Sequence, residues 1–83
     1  MVDLSGSIQD SLTRTLARAR SLAEDGRHDE AASAFEKAAG LAERMAKSAL
    51  TPGDRTRRLR EAKGYRTQAE RIRGGAVVAD GAR

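Results

Sequence analysis

Residues 28–49 read HDEAASAFEKAAGLAERMAKSA. Ala31, Phe35, Ala38, Ala42, Met45 and Ala49 recur at alternating steps of four and three. That spacing places them on one face of an α-helix and matches the seam of an antiparallel helix pair. Ala32, Ala39 and Ala46 form a second stripe beside the first. A helix with two apolar stripes can touch two neighbours, so this stretch predicts the central helix of an all-α domain. Asp29 and Glu30 fall in its first turn, where the positive end of the helix dipole favours carboxylates.

The flanking sequence supplies the two neighbours. Leu4, Ile8, Leu12, Leu16, Ala19 and Ala23 recur at steps of three or four, which predicts a first helix over 7–25. Ser7 followed by Asp10 resembles a capping box at its start, and Asp25-Gly26 breaks it. Thr51-Pro52-Gly53 is the strongest break in the chain, because proline cannot continue the preceding helix and biases Thr51 away from helical geometry. Leu59, Ala62, Tyr65, Ala69 and Ile72 then predict a third helix over 54–73. Gly64 inside it marks either a close helix crossing or nothing. Gly74-Gly75 is read as its end, with 74–83 a flexible tail or a linker to a further domain. Short connections force an up-down-up path. The expected architecture is an antiparallel three-helix bundle over residues 1–73, with helices at 7–25, 28–49 and 54–73 and an alanine-lined core.

Composition narrows the classes. Eighty-three residues make one domain at most. Phe35 and Tyr65 are the only aromatics, proline occurs once, and no stretch alternates as a half-buried strand does. There is no cysteine, hence no disulfide framework and no thiolate metal site. The single histidine, His28, cannot build a metal cage alone, and it reads as a partly buried residue at a helix start. No apolar run approaches the ~20 residues of a membrane-spanning helix. The start, Met1-Val2-Asp3-Leu4, lacks the basic and apolar regions of a signal peptide. A cytoplasmic location is expected.

No phosphate-binding glycine loop, catalytic triad or metal-ligand spacing occurs, so no enzymatic activity, metal or cofactor is expected of this chain. Phe35, Tyr65 and Met45 sit on apolar stripes and are expected in the core. Charge is uneven. Between Asp54 and Arg73 stand eight basic residues (Arg55, Arg57, Arg58, Arg60, Lys63, Arg66, Arg71, Arg73) against Asp54, Glu61 and Glu70, in a chain whose net charge is +4. This face reads as a solvated surface with helical ion pairs, as a site for an acidic peptide, or as a phosphate-binding surface. The lack of stacking aromatics and of a nucleic-acid motif argues against nucleic acid.

The stretch from Asp25 to Ala38, DGRHDEAASAFEKA, resembles the helix-turn-helix of tetratricopeptide repeats, although no second copy follows. The ending from Tyr65 to Arg73, YRTQAERIR, is similar to the terminal helix of the MIT (microtubule-interacting and transport) domain, and the likeness extends over about residues 4–73. That resemblance implies a non-catalytic adaptor on an AAA ATPase. Its partner would be the C-terminal tail peptide of an ESCRT-III-like filament protein, bound between helices two and three as an amphipathic helix or between helices one and three as an extended strand. Carried onto this chain, it implies apolar contacts from Ala39, Ala46 and Leu50 on helix two. Helix three would contribute Ala62, Lys63, Arg66, Ala69 and Glu70. Glu70 matches a family glutamate that pairs with a basic peptide residue. Arg66 departs from a frequent leucine and points to a more acidic tail or to the other groove. The alternatives are a tetratricopeptide-like scaffold or self-associating module and, less favoured, a basic nucleic-acid accessory domain.

Overall fold

The computed structural model describes the backbone of residues 4–81 and the side chains of residues 7–74. These fold into three α-helices: α1 (Leu4–Glu24), α2 (His28–Lys47) and α3 (Pro52–Gly81). Helix α2 packs against both α1 and α3, while the backbones of α1 and α3 scarcely approach one another. The three-helix bundle is accordingly flat, with Cα extents of 51 × 25 × 12 Å. The two stripes on residues 28–49 explain this. Each stripe has a partner, and α2 is the spine between them.

The core is built from small residues. Among the described residues, nine of the twelve buried apolar side chains are alanines, and only Leu12, Leu22 and Phe35 are larger. Methyl side chains let helix backbones come close, but each excludes little water. Phe35 therefore carries an unusual share. It packs with Ala19, Ala32 and Ala69, and Leu16, Tyr65 and Ile72 close over that cluster, so all three helices meet there. A second cluster, Ala39, Ala42 and Ala62 under Tyr65, joins α2 to α3 alone.

The helix ends explain where the sequence boundaries hold and where they move. At Asp25-Gly26 the break falls as expected. Gly26 adopts φ +81°, the amide of Arg27 donates to the Leu22 carbonyl (2.9 Å), and that of Gly26 donates to Ala23 (3.1 Å). This pair of bonds closes a Schellman motif, and the left-handed residue it needs is glycine. The capping box expected at Ser7 is not formed. The helix begins at Leu4, the first residue of the apolar series, so Ser7 lies inside it. Helix α2 stops at Lys47 rather than 49, because its last turn tightens: Ser48 donates to Arg44 and Met45, and Ala49 to Ala46. Arg44 and Lys47 stand in that turn, where cations oppose the negative helix end.

Helix α3 differs most from its expected span. It starts at Pro52, not Asp54. The Thr51 Oγ1 accepts the Asp54 amide at 3.1 Å, which makes Thr51 the N-cap, and Pro52 occupies the first helical position, where its missing amide costs nothing. The residues expected to end α2 instead begin α3, since α2 has already stopped at Lys47. At the other end, Gly74-Gly75 does not terminate the helix, which runs on to Gly81. Each glycine costs about 1 kcal/mol of helix propensity relative to alanine, yet neither is a hard stop, and no proline follows. The expected tail is therefore helical at 74–81, and its residues 82–83 lie outside the described residues. Gly64 does not mark a close crossing, since a β-carbon there would meet no atom within 4 Å.

Candidate peptide-binding groove

The eight residues that the resemblance singles out do not form one accessible surface. Ala39 and Ala69 are fully buried, and Ala62 and Ala46 nearly so. Alanines at these positions are what draws α2 and α3 together, so Ala39, Ala62 and Ala69 are seam rather than groove, a correction to their expected role. Leu50 is 96 % exposed, past the end of α2. It lines a small hollow at the bundle's end with Ile8, Met45 and Arg58. Lys63 and Glu70 are exposed on α3.

Arg66 is exposed too, but it has a partner. Its guanidinium reaches across the seam and forms a two-pronged ion pair with Glu43 of α2, its Nη2 lying 3.0 Å from Oε1 and its Nη1 bonded to Oε2. One heptad further, Arg73 pairs with Glu36 and lies 3.4 Å from the Ser33 hydroxyl. The two straps are in register because α2 and α3 run antiparallel. Seven residues forward on α3 correspond to seven residues back on α2. The hydrogen bond from Arg66 holds the Glu43 carboxyl below its ordinary range. Desolvation opposes this, and the charges of Arg66 and Lys47 add to the lowering. In turn, the Glu43 carboxylate raises Arg66 above its ordinary value. A carboxyl lowered on folding adds stability that is present above the usual carboxylate range and lost on acidification through it. Both side chains are over a third exposed, so solvent screening keeps this contribution small.

Above the Arg66 strap the seam is open. A groove of about 520 Å³ lies there, lined by Gly40, Glu43, Arg44, Ala46 and Lys47 from α2 and by Arg55 and Leu59 from α3. Its exposed lining is mostly apolar carbon. Leu59 is 48 % exposed, and among the described residues only Leu50 is a more exposed large apolar side chain. The charged heads of Arg44, Lys47 and Arg55 rim the groove, and none of the three is in an ion pair among the described residues. Long cationic side chains commonly lay their aliphatic stems along apolar surface in this way and keep the charge in water. Gly40 leaves the α2 wall without a side chain, and a β-carbon there would meet nothing within 4 Å.

Two other hollows differ in character. The one between α1 and α2, about 560 Å³, is lined by charges of both signs, Arg18 and Lys37 facing Asp29 and Glu30. The one between α1 and α3, about 270 Å³, has Phe35 and Tyr65 in its walls with Arg20, Gly64 and Gln68. Burial pushes the Tyr65 phenol above its ordinary 10.0, and Glu61 adds to the rise while Arg20 and Arg58 oppose it.

Of the expected site residues, then, Ala46 lines the open groove and Arg66 closes its lower end. The residues that give the groove its chemistry, Leu59, Arg44, Lys47, Arg55 and Glu43, were not singled out as peptide contacts. The equal spacing of Glu36 with Glu43 and of Arg66 with Arg73 was the sequence signal for the straps. Among the described residues no helix is long and apolar enough to cross a membrane, and no group of three or more histidine or acidic side chains could hold a metal. Comparison with known protein families, curated proteins and solved structures finds no match for this chain.

Proposed function

We propose that this chain is a non-catalytic, MIT-like adaptor that binds short acidic, leucine-bearing tail segments in the upper groove between α2 and α3. The observation that carries the reading is the groove itself: an apolar slot with a half-exposed leucine, framed by three cations that have no ion-pair partner among the described residues. An amphipathic peptide would place an apolar side chain on Leu59 and Ala46 and carboxylates beside Arg44, Lys47 and Arg55, with apolar anchors fixing register and charges fixing selectivity. The MIT-like ending at residues 65–73 supports a specific setting, an N-terminal module that delivers a cytoplasmic AAA ATPase to the tails of ESCRT-III-like filament proteins. A hexameric ATPase would bring several weak grooves together and raise their joint affinity.

The experiment is a calorimetric titration with synthetic tail peptides from ESCRT-III-like proteins, chosen for leucines with flanking acids and paired with versions in which the acids are neutralised. Binding in the micromolar range that weakens on neutralisation and on Leu59→Asp supports the reading. Absence of binding at millimolar peptide, with sedimentation showing self-association instead, would transfer the groove to a second copy of the chain.

A further inference from the structure

The Glu43–Arg66 strap sits where the groove ends: Glu43 lines the groove, and Arg66, just beyond the lining, reaches it from α3. Among the described residues Glu43 is the only acid lining the groove, in a rim that otherwise offers cations. Its carboxylate occupies both prongs of the Arg66 guanidinium, the geometry in which an arginine binds a ligand carboxylate. The pair is half exposed on each side, so an incoming group can reach it without unfolding the seam. Its companion, Glu36 with Arg73, lies one heptad further along the seam, outside the groove lining.

We propose that Glu43 is an intramolecular stand-in for a peptide carboxylate, and that a tail binds in full register by displacing it from Arg66. This rests on the groove reading above and adds a specificity rule to it. Leu59 and Arg66 are seven residues apart on one helix, a rise of about 10 Å. A helical ligand that covers both carries an apolar residue and an acid seven positions apart. An extended ligand covers the same distance in about three residues. A tail with the apolar anchor and no acid at that spacing leaves the strap closed and holds only the upper part of the groove.

The probe is a synthetic helical peptide of about 15 residues, with leucine and glutamate seven positions apart, and a twin in which that glutamate is glutamine. The glutamate peptide binds the native chain more tightly than its twin. In Glu43→Gln its affinity rises by about two- to fivefold more than the twin's, the span of an exposed ion pair that no longer has to be broken. Arg66→Gln abolishes the preference for glutamate over glutamine. Glu36→Gln, which removes the same charge from the strap one heptad away, leaves both affinities as they were. Amide spectra establish that each variant is folded before titration. Equal affinity of the glutamate peptide for the native chain and Glu43→Gln would overturn the displacement and leave the groove reading standing. A gain for both peptides alike, or an equal gain from Glu36→Gln, would reduce Glu43 to a general repulsion and overturn it too. Failure of both peptides to bind any variant at millimolar concentration would overturn the groove reading and this inference with it.

Discussion

Gly64 lies in the middle of α3 with its α-carbon facing open space, and a β-carbon there would meet no atom within 4 Å. Gly64→Ala therefore adds no clash, and its methyl gains no close contact in the open hollow that Gly64 helps to line. What remains is the difference in helix propensity, about 1 kcal/mol in favour of alanine at an interior exposed site. Unfolding entropy near 2.1 cal/mol/K per residue amounts to about 0.17 kcal/mol/K for a chain of this size, so the midpoint should rise by about 6 °C. Differential scanning calorimetry or thermal circular dichroism on the purified chain measures it, with unfolding first shown to be reversible. A midpoint that stays or falls would refute the reasoning. It would mean that α3 is interrupted at this point, or that another surface packs closely on the glycine.

Phe35→Ala should cost about 3–5 kcal/mol, the usual range for emptying a buried aromatic site, because its buried neighbours Ala19, Ala32 and Ala69 are too small to fill the space; denaturant titration should show the variant largely unfolded in buffer. Thr51→Ala removes the cap acceptor for the Asp54 amide and should cost about 1 kcal/mol, read by the same titration, whereas Thr51→Ser should retain most of it. Tyr65 is the only tyrosine and the chain has no tryptophan, so its phenolate absorbance reports one group: it should titrate above 10.0 in the folded chain and near 10.0 in denaturant. A phenol raised on folding contributes stability that is fully present below the unfolded value and lost as pH climbs through the folded one, so the chain should become easier to denature above pH 10.

Much of the fold was legible because it depends on periodicity. The two stripes on residues 28–49 identified α2 as the spine, and Asp25-Gly26 placed the first turn, whose positive φ requires glycine. The errors lie at helix ends, where the deciding interactions involve few atoms. Pro52 can end one helix or begin the next, and the hydrogen bond from the Asp54 amide to Thr51 decides for the second. Gly74-Gly75 weakens a helix without forbidding it, and the pattern of apolar residues cannot tell these apart. The site was less legible for a different reason. Alanine at helical spacing can be the floor of a groove or the seam beneath it, and the distance between two helix axes chooses. At Ala39, Ala62 and Ala69 the helices have closed, whereas beside Leu59 they leave space, with the buried Ala46 in the groove's lining. The surplus of basic residues on α3, expected to make helical ion pairs or a binding site, divides between ion pairs and the groove. Arg57, Arg58, Arg66 and Arg73 are in ion pairs, and Arg55 faces the groove.

The most direct test of the account is amide chemical-shift mapping of the isotope-labelled chain with an acidic, leucine-bearing tail peptide. Shifts concentrated on Gly40, Arg44, Ala46, Lys47, Arg55 and Leu59, with Glu43 and Arg66 following as the strap opens, are the predicted result. Shifts confined to Arg20, Phe35, Tyr65 and Gln68 would place the peptide between α1 and α3 and contradict the assignment of the upper α2–α3 groove.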